Sequence, residues 1–253
     1  MLRSTVGISA ALVGIAALAS FYALQILSQT SLPSGLQVSS SPTIPDELAL
    51  SLSTLVINPD HHSTVNDTRS VTVSVPTKLS HEQILARYLV GFFGGYVFAP
   101  ERRALKLMGK RLVKFKELSH VPESTHLWAT AELDDGKLPP VHSVLFGAFR
   151  IVDIQVPNSA ESSPLHSGPL YSYIDFAFGA DEYFIAGVHR FFVSELGGAE
   201  CSQGTRCITV GFAHTGCNPR ENKPLGPAIL QTLHLWYAML LFKEGVVEIL
   251  KMK

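Results

Sequence analysis

The sequence predicts an α+β fold: a curved antiparallel sheet gripping a long C-terminal helix, preceded by a single N-terminal transmembrane helix. Three patterns carry that expectation. Residues 6–27 are uncharged and apolar apart from two serines and one glutamine. Five segments between residues 127 and 215 alternate apolar and polar side chains with period two. Residues 227–250 are apolar on most faces of a helix, which must then be covered by something.

Composition narrows the function classes. The 253 residues carry 20 basic and 21 acidic side chains, a net charge of −1, with 46% apolar and only 16% charged residues. A soluble domain usually has about 25% charged residues. The shortfall excludes disorder over most of the length, and the absent basic excess excludes a general nucleic-acid surface. Three cysteines are too few for a disulfide scaffold.

From Ser4 to Pro45 there is no charge, and the run at residues 6–27 would span about 33 Å as a helix, against a hydrocarbon core of about 30 Å. Ala17-Leu18-Ala19 could serve as a signal-peptidase exit. The run continues past it through Phe21, Tyr22, Leu24, Ile26 and Leu27, which favours an uncleaved anchor over a cleaved signal peptide. Arg3 precedes the run while Asp46 and Glu47 follow it, so the positive-inside bias sends the bulk of the chain to the lumen or exterior of the secretory route. Asn66-Asp67-Thr68 is the only glycosylation sequon and agrees with that topology. The expected organisation is an anchor or signal peptide at 1–29, a Ser/Thr/Pro-rich tether at 30–70 and an α+β globular domain at 71–253.

Within that domain, Val71 to Val75 alternates as a strand stopped by Pro76. Ser80 then caps a helix, with Gln83 at the capping-box position and Ile84, Leu85, Tyr88 and Leu89 at helical spacing. It runs into an aromatic, glycine-rich stretch at 91–98. Two readings stand: a buried bend where glycines let backbones approach, or a functional surface, either membrane-dipping or the lip of an apolar pocket. Residues 101–116 read as a basic amphipathic helix, either a solvated face or one attracted to anionic lipid. Strands are expected at 127–133, 143–156, 171–178, 184–196 and 207–215. The C-terminal helix is broken by Gln231, Thr232, His234, Lys243 and Glu244, so it is not a second membrane span.

Between Tyr171 and Leu250 the order of motifs is informative: Tyr173-Ile174-Asp175-Phe176-Ala177-Phe178-Gly179, then Ala186-Gly187-Val188-His189-Arg190-Phe191-Phe192-Val193, then a strand ending Thr215-Gly216-Cys217-Asn218-Pro219, then Leu225-Gly226 and a long helix. This last third resembles an uncharacterised family of small bacterial and plant domains related to the START-like, polyketide-cyclase (helix-grip) superfamily. The chain has Gly187-Val188-His189-Arg190 where that family has a Gly-Glu-Glu-Arg type run. The resemblance implies an internal apolar cavity and no transferable catalytic residues.

Alternation places Ile208, Val210, Phe212 and His214 on one strand face, and His189 with Phe191 and Val193 on the next. Both imidazoles are expected to face an apolar interior, as core residues or as acid/base or ligand-orienting groups. A cavity between sheet and helix would be lined by Phe191, Phe212, His214, Trp236 and Leu240. Asp175 alternates to the opposite side and is expected to point outward. Cys201 and Cys207 flank a short turn, where an oxidising lumen permits a hairpin disulfide. His61-His62 lacks a third ligand, so no metal is expected, and no phosphate-binding loop or nucleophile motif calls for a cofactor. Three functions are weighed: a membrane-tethered binder of an apolar small molecule (lipid, terpenoid or polyketide), a cyclase or isomerase using the same cavity with His189 and His214, and a membrane-complex subunit using the aromatic surface at 92–98. The partners expected are an apolar small molecule and membrane lipid.

Overall fold

The computed structural model describes residues 20–157 and 170–252, excepting the side chains of 196–200, 202 and 228. Most of the expected membrane span, residues 6–19, lies outside the described residues. Among the described residues no helix is long and apolar enough to cross a membrane.

Eight strands form one curved, open sheet: β1 (Ser39–Ser41), β2 (Thr64–Pro76), β3 (His126–Leu127), β4 (Val144–Leu145), β5 (Phe149–Gln155), β6 (Tyr171–Gly179), β7 (Ala186–Ser202) and β8 (Thr205–Cys217). Their spatial order is β1-β2-β8-β7-β6-β5-β4-β3. All pairings are antiparallel except β3 with β4. Residues 20–29 are helical, and the helices that follow are α1 (Asp46–Ala49), α2 (Leu52–Ile57), α3 (His81–Gly94), α4 (Ala99–Met108) and α5 (Ala228–Leu250). The architecture is α+β, with the C-terminal helix in place.

The capping box at the start of α3 forms in full. The Ser80 hydroxyl accepts from the Gln83 amide at 3.1 Å, and Gln83 Oε1 accepts from the Ser80 amide at 2.9 Å. The helix buries Tyr88, Phe92 and Phe93 against the centre of the sheet. Phe92 meets Phe191 edge-on at 4.7 Å and Phe93 meets Phe176 at 5.3 Å. So α3, not the C-terminal helix, fills the middle of the sheet's concave face, and α5 packs across α3. The two helices cross where both lack a side chain: a Cβ on Gly91 would lie 2.7 Å from the Gly245 Cα.

Several expectations are corrected. Residues 30–70 are not a bare tether; they supply β1, α1, α2 and the first half of β2, which starts at Thr64 and not Val71. Of the two readings of the aromatic stretch at 91–98, the buried one holds: Phe92, Phe93 and Phe98 are interior, and Tyr96 is the substantially exposed aromatic. The basic helix ends at Met108, because Gly109 adopts the left-handed conformation (φ 57°) that stops helices. Residues 110–115 then continue without helix. The strand expected at 127–133 is two residues followed by a 3₁₀ turn, and that at 143–156 is a hairpin of β4 and β5. The first three turns of α5 are not covered; Ile229, Leu230, Leu233 and Trp236 are each more than half exposed.

The reverse face of the sheet is also covered. Leu48, Ile57, Val113 and Phe115 pack there on Val188, Phe192 and Ala213. Asp175 points to this face, as its alternation requires, yet it is fully buried. Arg190, directly opposite on β7, donates to both its oxygens at 2.7 Å, and the Ser53 hydroxyl donates at 2.6 Å. The outward reading fails because α2 lies over the sheet, and nothing in residues 52–57 as a sequence announces that cover. Cys201 and Cys207 are joined by a disulfide across the β7–β8 hairpin, their Cα atoms 5.5 Å apart. Asn66 lies within β2, opposite Thr215, and not in a loop; it is half-buried, and its side-chain oxygen has no partner.

Candidate functional site

The site is built on one row of the sheet. Register places His189 directly opposite His214, and His214 opposite Asp67 on β2. Since neighbours in a row share a face, all three point toward α3 and α5. The His189 and His214 rings lie 5.0 Å apart. From α5, His234 sits a further 5.0 Å from His214, so three imidazoles form a row instead of converging on a point. Among the described residues no group of His, Cys, Asp or Glu side chains could hold a metal ion. His62, for its part, is tied through Nδ1 to the Asn218 carbonyl at 2.8 Å.

The surroundings of the row are aromatic. Phe178 lies 4.6 Å from His189 and 5.7 Å from His214, and Phe212 lies 5.2 Å from His189. Neither ring nitrogen of His189 has a hydrogen-bond partner, nor has Nδ1 of His214. Burial holds all three imidazoles below their ordinary pKa: His189 well below it, His214 down to about 3, with His234 and then Arg69 adding repulsion at His214. They are neutral, each offering one N–H donor and one lone pair. Arg69 is buried beside them. Its Nη2 reaches Asp67 and the Leu235 carbonyl, both at 2.7 Å, while Nε and Nη1 are unpartnered.

An apolar cavity of about 150 Å³ adjoins His189. Its walls include Phe92, Phe98, Phe149, Phe178 and Phe212, with Ala238 and Leu241 from α5. Opposite the histidines, the Tyr237 hydroxyl donates to Glu101 Oε2 at 2.9 Å, and both groups line the space. Burial raises the pKa of each, which favours a carboxyl and a phenol over their anions. A second recess of about 150 Å³, open to the surface, is lined by His214, Phe184, Ile185, Leu225 and Leu230. His234 lines both and partitions them.

A larger depression, about 670 Å³, lies at Arg111, Lys114, Lys116, Asp181 and Glu182, beside Phe115 on the reverse face. Its size is not a better argument, because its Lys114 and Glu182 side chains are about three-quarters exposed and fully solvated. The histidine cavity instead sets a buried imidazole, with both nitrogens unpartnered, on an apolar wall.

No family model matches the chain, and neither a curated protein nor a solved structure matches it. The site therefore rests on geometry alone.

Of the residues expected from sequence, His189 and Phe212 line the cavity, and His214 lines the outer recess. Phe191 is fully buried one register step away, packed by Tyr88 and Phe92. Trp236 is 73% exposed and lines neither space. Leu240 is half-buried within the main core and also lines neither. Trp236 and Leu240 would line a cavity only if the sheet sheathed α5, whereas it is α3 that covers the second half of α5 and the first half is bare. Glu101, His234 and Tyr237 were not singled out. A signal for two of them exists: His234, Tyr237, Ala238 and Leu241 recur at i, i+3, i+4 and i+7 along one helical face.

Proposed function

We propose that the protein is a membrane-tethered binding domain for a small apolar molecule bearing one uncharged polar group, held in the manner of the START-like helix-grip domains that residues 171–250 resemble. The observation that supports this reading is His189: a buried neutral imidazole, with both nitrogens unpartnered, on the wall of a phenylalanine-lined cavity. A buried polar group without a partner costs roughly 1–3 kcal/mol, and a ligand hydroxyl, itself both donor and acceptor, would recover that loss. Tyr237 and Glu101 face the same space and would orient a carbonyl or hydroxyl at the ligand's other edge. An apolar cavity of about 150 Å³ accepts a single aromatic ring. A larger terpenoid, lipid or polyketide body would extend into the outer recess past His234.

The uncharged run at residues 6–27 and the charge order Arg3 before Asp46 and Glu47 support single-pass anchoring, with the domain outside the cytosol. Alkaline carbonate extraction tests the anchor. The binding reading is tested by native mass spectrometry of the full chain in mild detergent, followed by extraction of whatever it carries. A co-purifying apolar molecule supports it, and an empty protein that also fails to take up benzyl alcohol overturns it.

A second reading has its own support. The Tyr237 hydroxyl, held by Glu101 on the cavity wall, is placed to donate to an oxygen that gains negative charge, as a cyclase or isomerase requires. His189 would face it as the orienting group. Turnover abolished by Tyr237→Phe with binding retained would favour that reading. The complex-subunit reading loses its surface, since Phe92, Phe93 and Phe98 are interior.

A further inference from the structure

We infer that the domain rests on a lipid bilayer through the uncovered face of α5 and Phe184, so that the ligand enters the cavity directly from the membrane, past His234. This inference rests on the binding reading for the identity of the cavity, but its surface stands on separate observations.

The first observation is the patch itself. Ile229, Leu233 and Trp236, at i, i+4 and i+7, are 64%, 57% and 73% exposed, with Leu230 at 58% and Phe184 at 75%. No charged residue occurs in α5 before Lys243. A monomer in water seldom leaves such a run uncovered, and tryptophan is the side chain enriched where protein meets headgroups. The second observation is continuity. Leu230 and Phe184 belong both to the patch and to the wall of the outer recess, whose inner boundary is His234. A molecule crossing the patch reaches the cavity without passing through bulk water.

The third observation selects the occupant. Residues 20–29 form a helix that packs by the junction of α3 and α4 and by the C-terminal end of α5. The Tyr22 hydroxyl donates to the Tyr96 carbonyl, Tyr22 lies close enough to the cavity residue Tyr237 to interact with it electrostatically, and Gln29 accepts from Lys251 at 3.3 Å. Phe21, Leu24 and Leu27 of this helix are about 60% exposed. The chain that precedes Ser20 has one charge, Arg3, in its length. The apolar N-terminal run thus joins the body beside the cavity wall, and a run of that character in a bilayer holds the cavity side against the same bilayer. A hydrophilic partner protein would not match a patch with no charge, and a second copy would need the anchor helices to part.

The test uses the full chain in phosphatidylcholine vesicles carrying lipids brominated near the headgroup end of the acyl chains. Trp128→Phe leaves Trp236 as the sole tryptophan, and Trp236→Phe leaves Trp128. Trp236 should be quenched several-fold more than Trp128. A nitroxide on Leu233→Cys should report the same depth independently, should the Trp128 variant fold poorly. Equal or absent quenching of Trp236 overturns the inference, as does a concentration-dependent blue shift without vesicles, which would place a second copy on the face. Benzyl alcohol binding is measured on the same samples. Binding without quenching removes the docking inference and leaves the binding reading intact, whereas quenching without binding does the reverse.

Discussion

His189 and His214 face each other across β7 and β8 with ring centroids 5.0 Å apart, and the nitrogens of His189 meet no protein partner. Two imidazoles this close and this buried cannot both be cationic, so the pair is neutral and largely unpartnered inside an aromatic wall.

Acid should destabilise the fold through these imidazoles. Each is neutral in the folded state with a depressed pKa, while the unfolded chain protonates its histidines near the ordinary value of 6.5. The unfolded state therefore binds more protons between about pH 3 and 6.5 for His214, and stability present above pH 6.5 is lost as pH falls through that window. The slope is at most about 1.4 kcal/mol per pH unit per imidazole. Denaturant unfolding of wild type and His214→Gln at pH 7 and pH 5 reads it: the variant should lose less on acidification. Parallel losses would mean that His214 titrates normally.

Arg190 and Asp175 should depend on each other. Either Arg190→Met or Asp175→Leu alone strands a buried charge, at a cost of about 3–5 kcal/mol. The double variant should cost less than the sum of the two, and a strictly additive double-mutant cycle would contradict the bidentate pair. Ligand binding on the opposite face should survive in any of the three that folds.

The crossing of α3 and α5 should be intolerant of a single methyl. Gly91→Ala would place Cβ 2.7 Å from Gly245 Cα, and Gly245→Ala would meet the Tyr88 ring at 2.4 Å. Neither contact can be relieved without separating the helices, so each should cost about 1–3 kcal/mol or more. A thermal midpoint equal to wild type in either variant would contradict the packing.

Much of this fold could be read from the chain. The capping box at Ser80 and Gln83 is a local signal and forms as read. The faces of β7 and β8 follow from period-two alternation, which is why His189 and His214 could be placed on one side before their register was known. What was illegible is long-range. The cover over Asp175 comes from α2, whose residues 52–57 carry no pattern that names their partner. The cover expected over Trp236 does not exist, because an apolar helix says only that it avoids water and not what shields it. Glu101 and Tyr237 are distant in sequence and meet only through the packing of α4 against α5. Their separate patterns, a basic helix and an apolar one, conceal that they share a cavity.

If the space beside His189 is a binding cavity and not a packing defect, filling it must abolish binding. Ala238 is 4% exposed and lines it, so Ala238→Phe should fill it at a cost of about 1–3 kcal/mol from overpacking. The decisive measurement is benzyl alcohol titrated into the full-length wild type and this variant in detergent micelles, followed by saturation-transfer NMR with toluene as the reference compound. Wild type should bind benzyl alcohol more tightly than toluene, His189→Leu should remove the preference, and Ala238→Phe should remove both ligands. Equal binding to wild type and Ala238→Phe, or none to wild type, would contradict a binding cavity there.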